Sequence, residues 1–325
     1  MGILETRNYF KPFEYPWAYD YYKKHEAMHW LPGEVEMRQD IQDWNKNLTP
    51  SEKHLLTQLF RFFTQADVDV ASGYRKEFGP ALGGHPEIAM MMSSFQNREA
   101  VHIDAYSLLI ETVGMPEDTY KTFTEYQEMK DKHEFMFSQG NSLGITSVLS
   151  KLAVFSAFGE GMQLFSSFAI LMNFERFNKM KGMCNIVRWS IRDESLHVEG
   201  MTQLFRELHK ETSLEFNELD LRATIRHSAK EMVYLEDKFI DLCFSQGGIQ
   251  GLTSEDLKKY IRFISNKRWT QLGFSGNLFE DSLENPLEWL DWVVNGEEHT
   301  NFFEARSTDY SKGTLQGNTE DIQWK

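Results

Sequence analysis

One spacing is written twice in this sequence. Asp67 stands 32 positions before the pair Glu99-x-x-His102, and Glu160 stands 34 positions before the pair Glu194-x-x-His197. A glutamate and a histidine three residues apart share one face of a helix, so both can turn toward a single point. Four helices carrying a carboxylate, a Glu-x-x-His, a second carboxylate and a second Glu-x-x-His can therefore close around one centre. A lone pair carries little information: with ten histidines in the chain, about one such pair is expected by chance. A third pair, Glu26/His29, lies outside the repeat and reads as surface. At the first position Asp67 is preferred to Asp69 for its place after Phe62-Phe63.

Helix signals are plentiful around these residues and strand signals sparse. Thr49-Pro50-Ser51-Glu52 is a capping box with proline at the first helical position, opening a segment that runs to about residue 78. Gly83-Gly84-His85-Pro86 separates it from a second segment, about 87–112, which Gly114-Met115-Pro116 ends. Further helices are expected at about 117–137, 144–174, 182–211, 213–245 and 253–271. The four parts of the repeat, two carboxylates and two Glu-x-x-His pairs, thus fall on four different helices, which is the ligand set of ferritin-like di-iron and di-manganese bundles. The fold class expected is all-α, a ferritin-like bundle with a dinuclear metal site in its core. Oxygen and imidazole donors suit iron or manganese.

Residues 152–172 are apolar over nearly a membrane-spanning length. Glu160 and Gln163 sit in the middle, and a mid-membrane carboxylate costs about 2.5 kcal/mol or more. The stretch reads instead as a helix buried on all sides of a soluble bundle. Inside FSAFGEGMQLFSSF, Glu160 is costly unless paired or metal-bound. Glu194, in RWSIRDESLHVEG, could belong to a surface charge cluster with Arg192 and Asp193, but its match to the first half of the repeat argues for the centre.

The net charge of -15 argues against a nucleic-acid surface. Cys184 and Cys243 lie far apart and outside any CxxC, so neither a disulfide framework nor a thiolate site is expected, and a cytoplasmic setting fits. No basic segment followed by an apolar run marks a secretory signal at the N-terminus. Residues 308–325 are polar and read as a flexible tail. The ferritin-like domain is expected over residues 1–307, with residues 1–48 as an N-terminal extension.

Tyr106 lies seven residues after Glu99, and seven helical steps return to nearly the same face. Beside a pair of oxygen-activating metals it is a candidate for one-electron oxidation. Taken together, FKPFEYPWAYDYY, HWLPGEVEMRQDIQDW, LFRFFTQAD, EAVHIDAYSLL, the Glu160 helix and IRDESLHVEG resemble the small, radical-generating subunit of class I ribonucleotide reductase. The resemblance runs from about Tyr9 to Tyr310. It implies that Asp67, Glu99, His102, Glu160, Glu194 and His197 bind two metal ions, Fe, Mn or one of each. It implies that Tyr106 takes the place of the radical tyrosine and that Trp30 passes an electron toward the metals. Asp193 would link Trp30 to His102, and Tyr310 would relay the radical to the large subunit. The C-terminus, with Trp324 as an anchor, would be the docking peptide for that subunit. A homodimer is implied; the need for an activating flavoprotein is left open, and no nucleic acid or membrane partner is expected.

The chain departs from the commonest pattern around the radical pocket. Leu164 and Phe168 stand where many members carry two phenylalanines, and Ser190 replaces a usual apolar residue. A long-lived tyrosyl radical needs a dry, apolar surround, so the stored oxidant is expected as either a Tyr106 radical or a high-valent metal pair. Two rival functions use the same bundle: a di-metal oxidase or monooxygenase, and a ferritin-like metal store.

Overall fold

The computed structural model describes residues 2–122, 125–137, 144–291 and 293; Tyr310, Trp324 and the rest of residues 308–325 lie outside the described residues. Met1–Leu287 form one compact unit. Among the described residues this unit is helical, with no strand longer than a single bridge between Ile249 and Leu252.

Helix α1 spans Pro16–Ala27 and α2 spans Arg38–Gln42, the latter running on into a π-helical turn. Helix α3, Pro50–Gly73, starts at the expected capping box: Glu52 N–H donates to Thr49 Oγ1 at 3.2 Å, and Thr49 N–H to the Glu52 carboxylate at 2.8 Å. It continues through a π-helical turn, Tyr74–Phe78, into α4, Gly79–Leu82. Helix α5 is Pro86–Thr112. The single helix expected at 117–137 is two pieces, α6 (Thr119–Thr122) and α7 (Gln127–Phe137). Next come α8 (Ile145–Leu152), a π-helical stretch Ala153–Gln163, and α9 (Leu164–Asn173), followed by α10 (Lys181–Glu211), α11 (Glu218–Cys243) and α12 (Ser254–Gln271). Helix α11 starts later than expected because Asn217 caps it, accepting from the N–H groups of Leu219 and Asp220.

The core is built on α3 against α5 and on α10 against the π-helical stretch, which α11 and α12 cover. Every residue from 152 to 174 is buried. The run Ile145–Phe177 is long and apolar enough to cross a membrane, but its apolar window is wholly enclosed by the other helices. Helix α10 has no cap of its own. Its first N–H groups are taken instead by two buried aspartates of the α2 region: Gly182 and Met183 donate to Asp40, and Met180 to Asp43, each at 2.8 Å. These bonds fix α10 along its axis, and α10 carries Ser190, Asp193, Glu194 and His197.

Candidate metal centre

The six residues of the repeat converge. Asp67 comes from α3, Glu99 and His102 from α5, Glu160 from the π-helical stretch, and Glu194 and His197 from α10; all six are at most 1% exposed. Their donor atoms form two groups in which every atom lies within 4.8 Å of the others. One is Asp67, Glu99 and His102; the other is Glu99, Glu160, Glu194 and His197. Glu99 belongs to both. His102 Nδ1 stands 3.6 Å from Glu99 Oε2 and 3.2 Å from Glu194 Oε1, while His197 Nδ1 stands 3.0 Å from Glu99 Oε1 and 3.2 Å from Glu194 Oε2. Glu99 and Glu194 therefore turn one oxygen toward each imidazole. Asp67 flanks the His102 side and Glu160 the His197 side. Asp69, two residues on, points away to His133 and Gln65.

The donor set fits two cations. Asp67 Oδ2, both oxygens of Glu99, Glu194 Oε2 and His197 Nδ1 are buried without a well-formed hydrogen bond. A buried polar atom left so costs about 1–3 kcal/mol, and more when charged. The four carboxylates, Asp67, Glu99, Glu160 and Glu194, are what two divalent ions would neutralise. Without such ions the protons redistribute. Burial, then the neighbouring Glu99, raises the Asp67 pKa well above its ordinary value; burial, then Glu194, does the same to Glu160. Burial opposes charge on His197, but the Glu194 and Glu99 carboxylates outweigh it and push the imidazole up to about 10. Burial also opposes the charge of Glu194, which His197 and His102 nonetheless bring down to about 2.

Each imidazole presents Nδ1 to the cluster and Nε2 to a partner behind it. Behind His102, Nε2 lies 3.3 Å from Asp193 Oδ2, which also accepts the Trp30 indole N–H at 2.7 Å. The Trp30 ring is stacked beside His102, with centroids 6.0 Å apart. Arg98 and Arg192 flank Asp193; despite its burial, the His102 bond and these charges hold its carboxyl below the usual range. The same two arginines donate to the Met28 carbonyl, and Arg98 also to that of His25. They pin the end of α1 and so place Trp30.

Behind His197 stands a residue the sequence did not reveal. His25 Nε2 is 3.0 Å from His197 Nε2, His25 Nδ1 is 2.7 Å from Ser94 Oγ, and Ser94 donates to Glu26 Oε1 at 2.7 Å. Were His197 to hold a metal through Nδ1, its Nε2–H would donate to His25, whose Nδ1–H would donate to Ser94. Burial and His197 lower the His25 pKa to about 2, which keeps that ring neutral as this direction requires. Glu26 and His29 are exposed, as expected of the pair outside the repeat.

Tyr106 is buried, stacked on Phe63 with ring centroids 4.6 Å apart, and Phe63 is stacked in turn on Phe168 at 5.5 Å. Burial, then the charge of Asp67, raises the Tyr106 pKa well above its usual value. Its hydroxyl donates to Ser190 Oγ at 3.4 Å, while Ser190 gives its own proton to the Ile186 carbonyl of the preceding turn at 3.1 Å. Tyr74 was also missed. It is fully buried, and its hydroxyl donates to Glu160, 2.9 Å from Oε1 and 3.3 Å from Oε2. The signal that could have found it is spacing: Tyr74 follows Asp67 by seven residues, as Tyr106 follows Glu99.

Comparison with known proteins places this centre in context. A family model described as ribonucleotide reductase, small chain, matches residues 7–286. The chain is 43% identical to a probable ribonucleoside-diphosphate reductase small subunit of Invertebrate iridescent virus 6, covering 99% of each chain. It is also 43% identical to the corresponding protein of Invertebrate iridescent virus 3, over 97% of this chain and 87% of that one. Among solved structures, the ribonucleotide reductase R2 subunit from Clostridium botulinum has the same fold, with a TM-score of 0.83 at 22% identity over 90% of this chain and 94% of that one.

Proposed function

This chain belongs to the ribonucleotide reductase small-chain family, and from that premise we propose how its residues divide the work of a ribonucleoside-diphosphate reductase small subunit. Asp67, Glu99, His102, Glu160, Glu194 and His197 would hold the two metal ions, with Asp67 and His102 on one side of the cluster, Glu160 and His197 on the other, and Glu99 common to both donor groups. The observation that carries this reading is the pair of buried donor groups sharing Glu99. When bound, the Fe or Mn pair supplies oxygen activation and a stored one-electron oxidant.

The chain's own residues do the rest. Four helices exclude water from the donors, which strengthens every charge interaction among them. Asp193 orients His102 and accepts the Trp30 N–H, so indole, carboxylate and imidazole form one buried chain leading away from the His102 side of the cluster. Trp30 would pass an electron inward along this chain. Ser190, its proton committed to Ile186, offers Tyr106 a lone pair rather than a competing donor. A Tyr106 radical is compatible with that arrangement, with Phe63 covering the ring.

As a reductase small subunit the protein works with a large subunit, where ribonucleotides are reduced. We place the docking peptide in residues 308–325 and assign Tyr310 the relay to that partner. The protein is proposed to act as a cytoplasmic homodimer; the free, buried Cys184 and Cys243 accord with a reducing compartment. Deleting residues 308–325 tests the reading. The truncated protein should bind the same metals and give the same oxidised-state spectrum, yet lose deoxyribonucleotide production with a matching large subunit. Production at the full rate would refute the role given to residues 308–325, and no production by the full-length protein with that subunit would favour a metal store or an oxygenase instead.

A further inference from the structure

The centre holds two tyrosines, one in each half. Tyr106 lies on the Asp67 side, against Phe63. Tyr74 lies on the Glu160 side, its ring 6.3 Å from that of His197. Their hydroxyls meet different chemistry. Removing one electron from a phenol makes its proton strongly acidic, so the proton must leave with the electron, and a base at hydrogen-bond distance lets it do so. Tyr106 faces a serine hydroxyl at 3.4 Å, a weak base. Tyr74 faces a carboxylate at 2.9 Å, and that carboxylate is itself one of the candidate ligands. The Tyr74 ring is also dry. Phe78, Phe95 and Phe155 meet it edge-on, at 6.3, 6.2 and 5.8 Å between centroids, and the residue is 1% exposed.

We propose that Tyr74 is a second redox-active tyrosine of this centre, giving one electron to the oxidised metal pair and its phenolic proton to Glu160. The inference rests on the reading of the cluster as an oxidising dinuclear site. The O–H bond of Tyr74 breaks and an O–H bond forms on Glu160. Tyrosine is oxidised by one electron to the neutral phenoxyl radical, and the metal pair, the oxidant that the small subunit's oxygen chemistry generates, is reduced by one. The same hydrogen bond makes the step reversible, because Glu160 can return the proton along it. Tyr74 also stands off the Trp30–Asp193–His102 chain, which leaves from the other imidazole. A hole there is a side reservoir, filled and emptied through the Glu160 half, rather than a station on the exit route.

The test is freeze-quench electron paramagnetic resonance of the full-length, metal-loaded Tyr106→Phe protein during reaction with oxygen, alongside metal analysis. A tyrosyl signal should remain, should narrow when the tyrosine rings are deuterated, and should vanish in Tyr106→Phe/Tyr74→Phe. Because the double variant removes a partner of Glu160, a second sample guards against a loading defect. In it a fluorinated tyrosine replaces Tyr74 in the Tyr106→Phe background, which keeps the hydroxyl; the signal should then show fluorine splitting. A fully loaded Tyr106→Phe protein with an oxidised-metal signal and no tyrosyl signal overturns the inference alone. So does a tyrosyl signal that survives in the double variant. A loaded wild-type protein with no oxidised species of any kind overturns the oxidising-site reading and this inference with it.

Discussion

At the scale of single residues, the two imidazoles are held by different means. His102 is backed by a carboxylate that also binds an indole, His197 by a neutral imidazole. Asp193 therefore adds negative charge behind one half of the centre, whereas His25 only orients the other. A partner behind a metal-binding histidine is typically worth 10–100-fold in metal affinity. His25→Ala should weaken the Glu160–His197 side by about that factor and leave the other side intact, as read from the stoichiometry and midpoints of a metal titration. His25→Gln, which keeps an acceptor for His197 Nε2, should recover much of the loss. Two equivalent, wild-type midpoints in His25→Ala would mean that His197 needs no partner. Neither His25 nor Ser94 announces itself in the sequence, and Tyr74 does so only through its seven-residue offset from Asp67. His25 and His197 are 172 residues apart, and only the docking of α1 onto α5 and α10 brings them together.

At the scale of elements, the widened helix around Glu160 is the least anticipated feature. A regular helix is the expectation from residues 144–174, but Ala153–Gln163 is π-helical. Such stretches recur at functional sites, since the extra residue per turn changes which side chains face a neighbour. Its fit against α3 depends on Gly73, where an added Cβ would fall 2.3 Å from the Phe155 ring. Gly73→Ala must displace that ring, so it should destabilise the metal-free protein by about 1–3 kcal/mol in urea unfolding and weaken metal binding too. Thr49→Ala, at the far end of the same helix, should cost about 1 kcal/mol through its lost cap but leave metal binding unchanged. Equal effects of the two on metal binding would mean that α3 moves as a rigid rod.

At the scale of the whole molecule, the cluster couples stability to pH and to metal. In the metal-free chain the His197 pKa rises from 6.5 to about 10, so its contribution to stability is complete below about pH 6.5 and lost as pH climbs through 10. Asp67 and Glu160, also raised, act in the same sense: their contribution is present below the ordinary carboxylate range and lost as pH rises. Glu194 acts oppositely, losing its contribution as pH falls through about 2. The melting temperature of the chelator-treated protein should therefore fall between pH 6.5 and 10. With saturating Mn(II) it should be higher and nearly flat, because bound metal requires neutral imidazoles and ionised carboxylates. A metal-free protein whose melting temperature rises over that interval would contradict the charge distribution described for the cluster.

What the sequence determined by itself is what depends on local geometry. Glu and His three residues apart share a helix face whatever the rest of the chain does, and the repeated offset from Asp67 and Glu160 names four helices with one destination. A capping box and breaks of glycine and proline mark the start of α3 and both ends of α5 for the same reason. Tertiary structure alone decided which oxygens turn toward which imidazole, that Nε2 of one histidine meets Asp193 and of the other His25, and that a π-helical stretch brings Glu160 against Tyr74. Those outcomes depend on the axial register and rotation of helices far apart in the chain. Register is set by side-chain packing such as Phe155 over Gly73 and by buried caps such as Asp40 on α10, and neither has a local signature in the sequence.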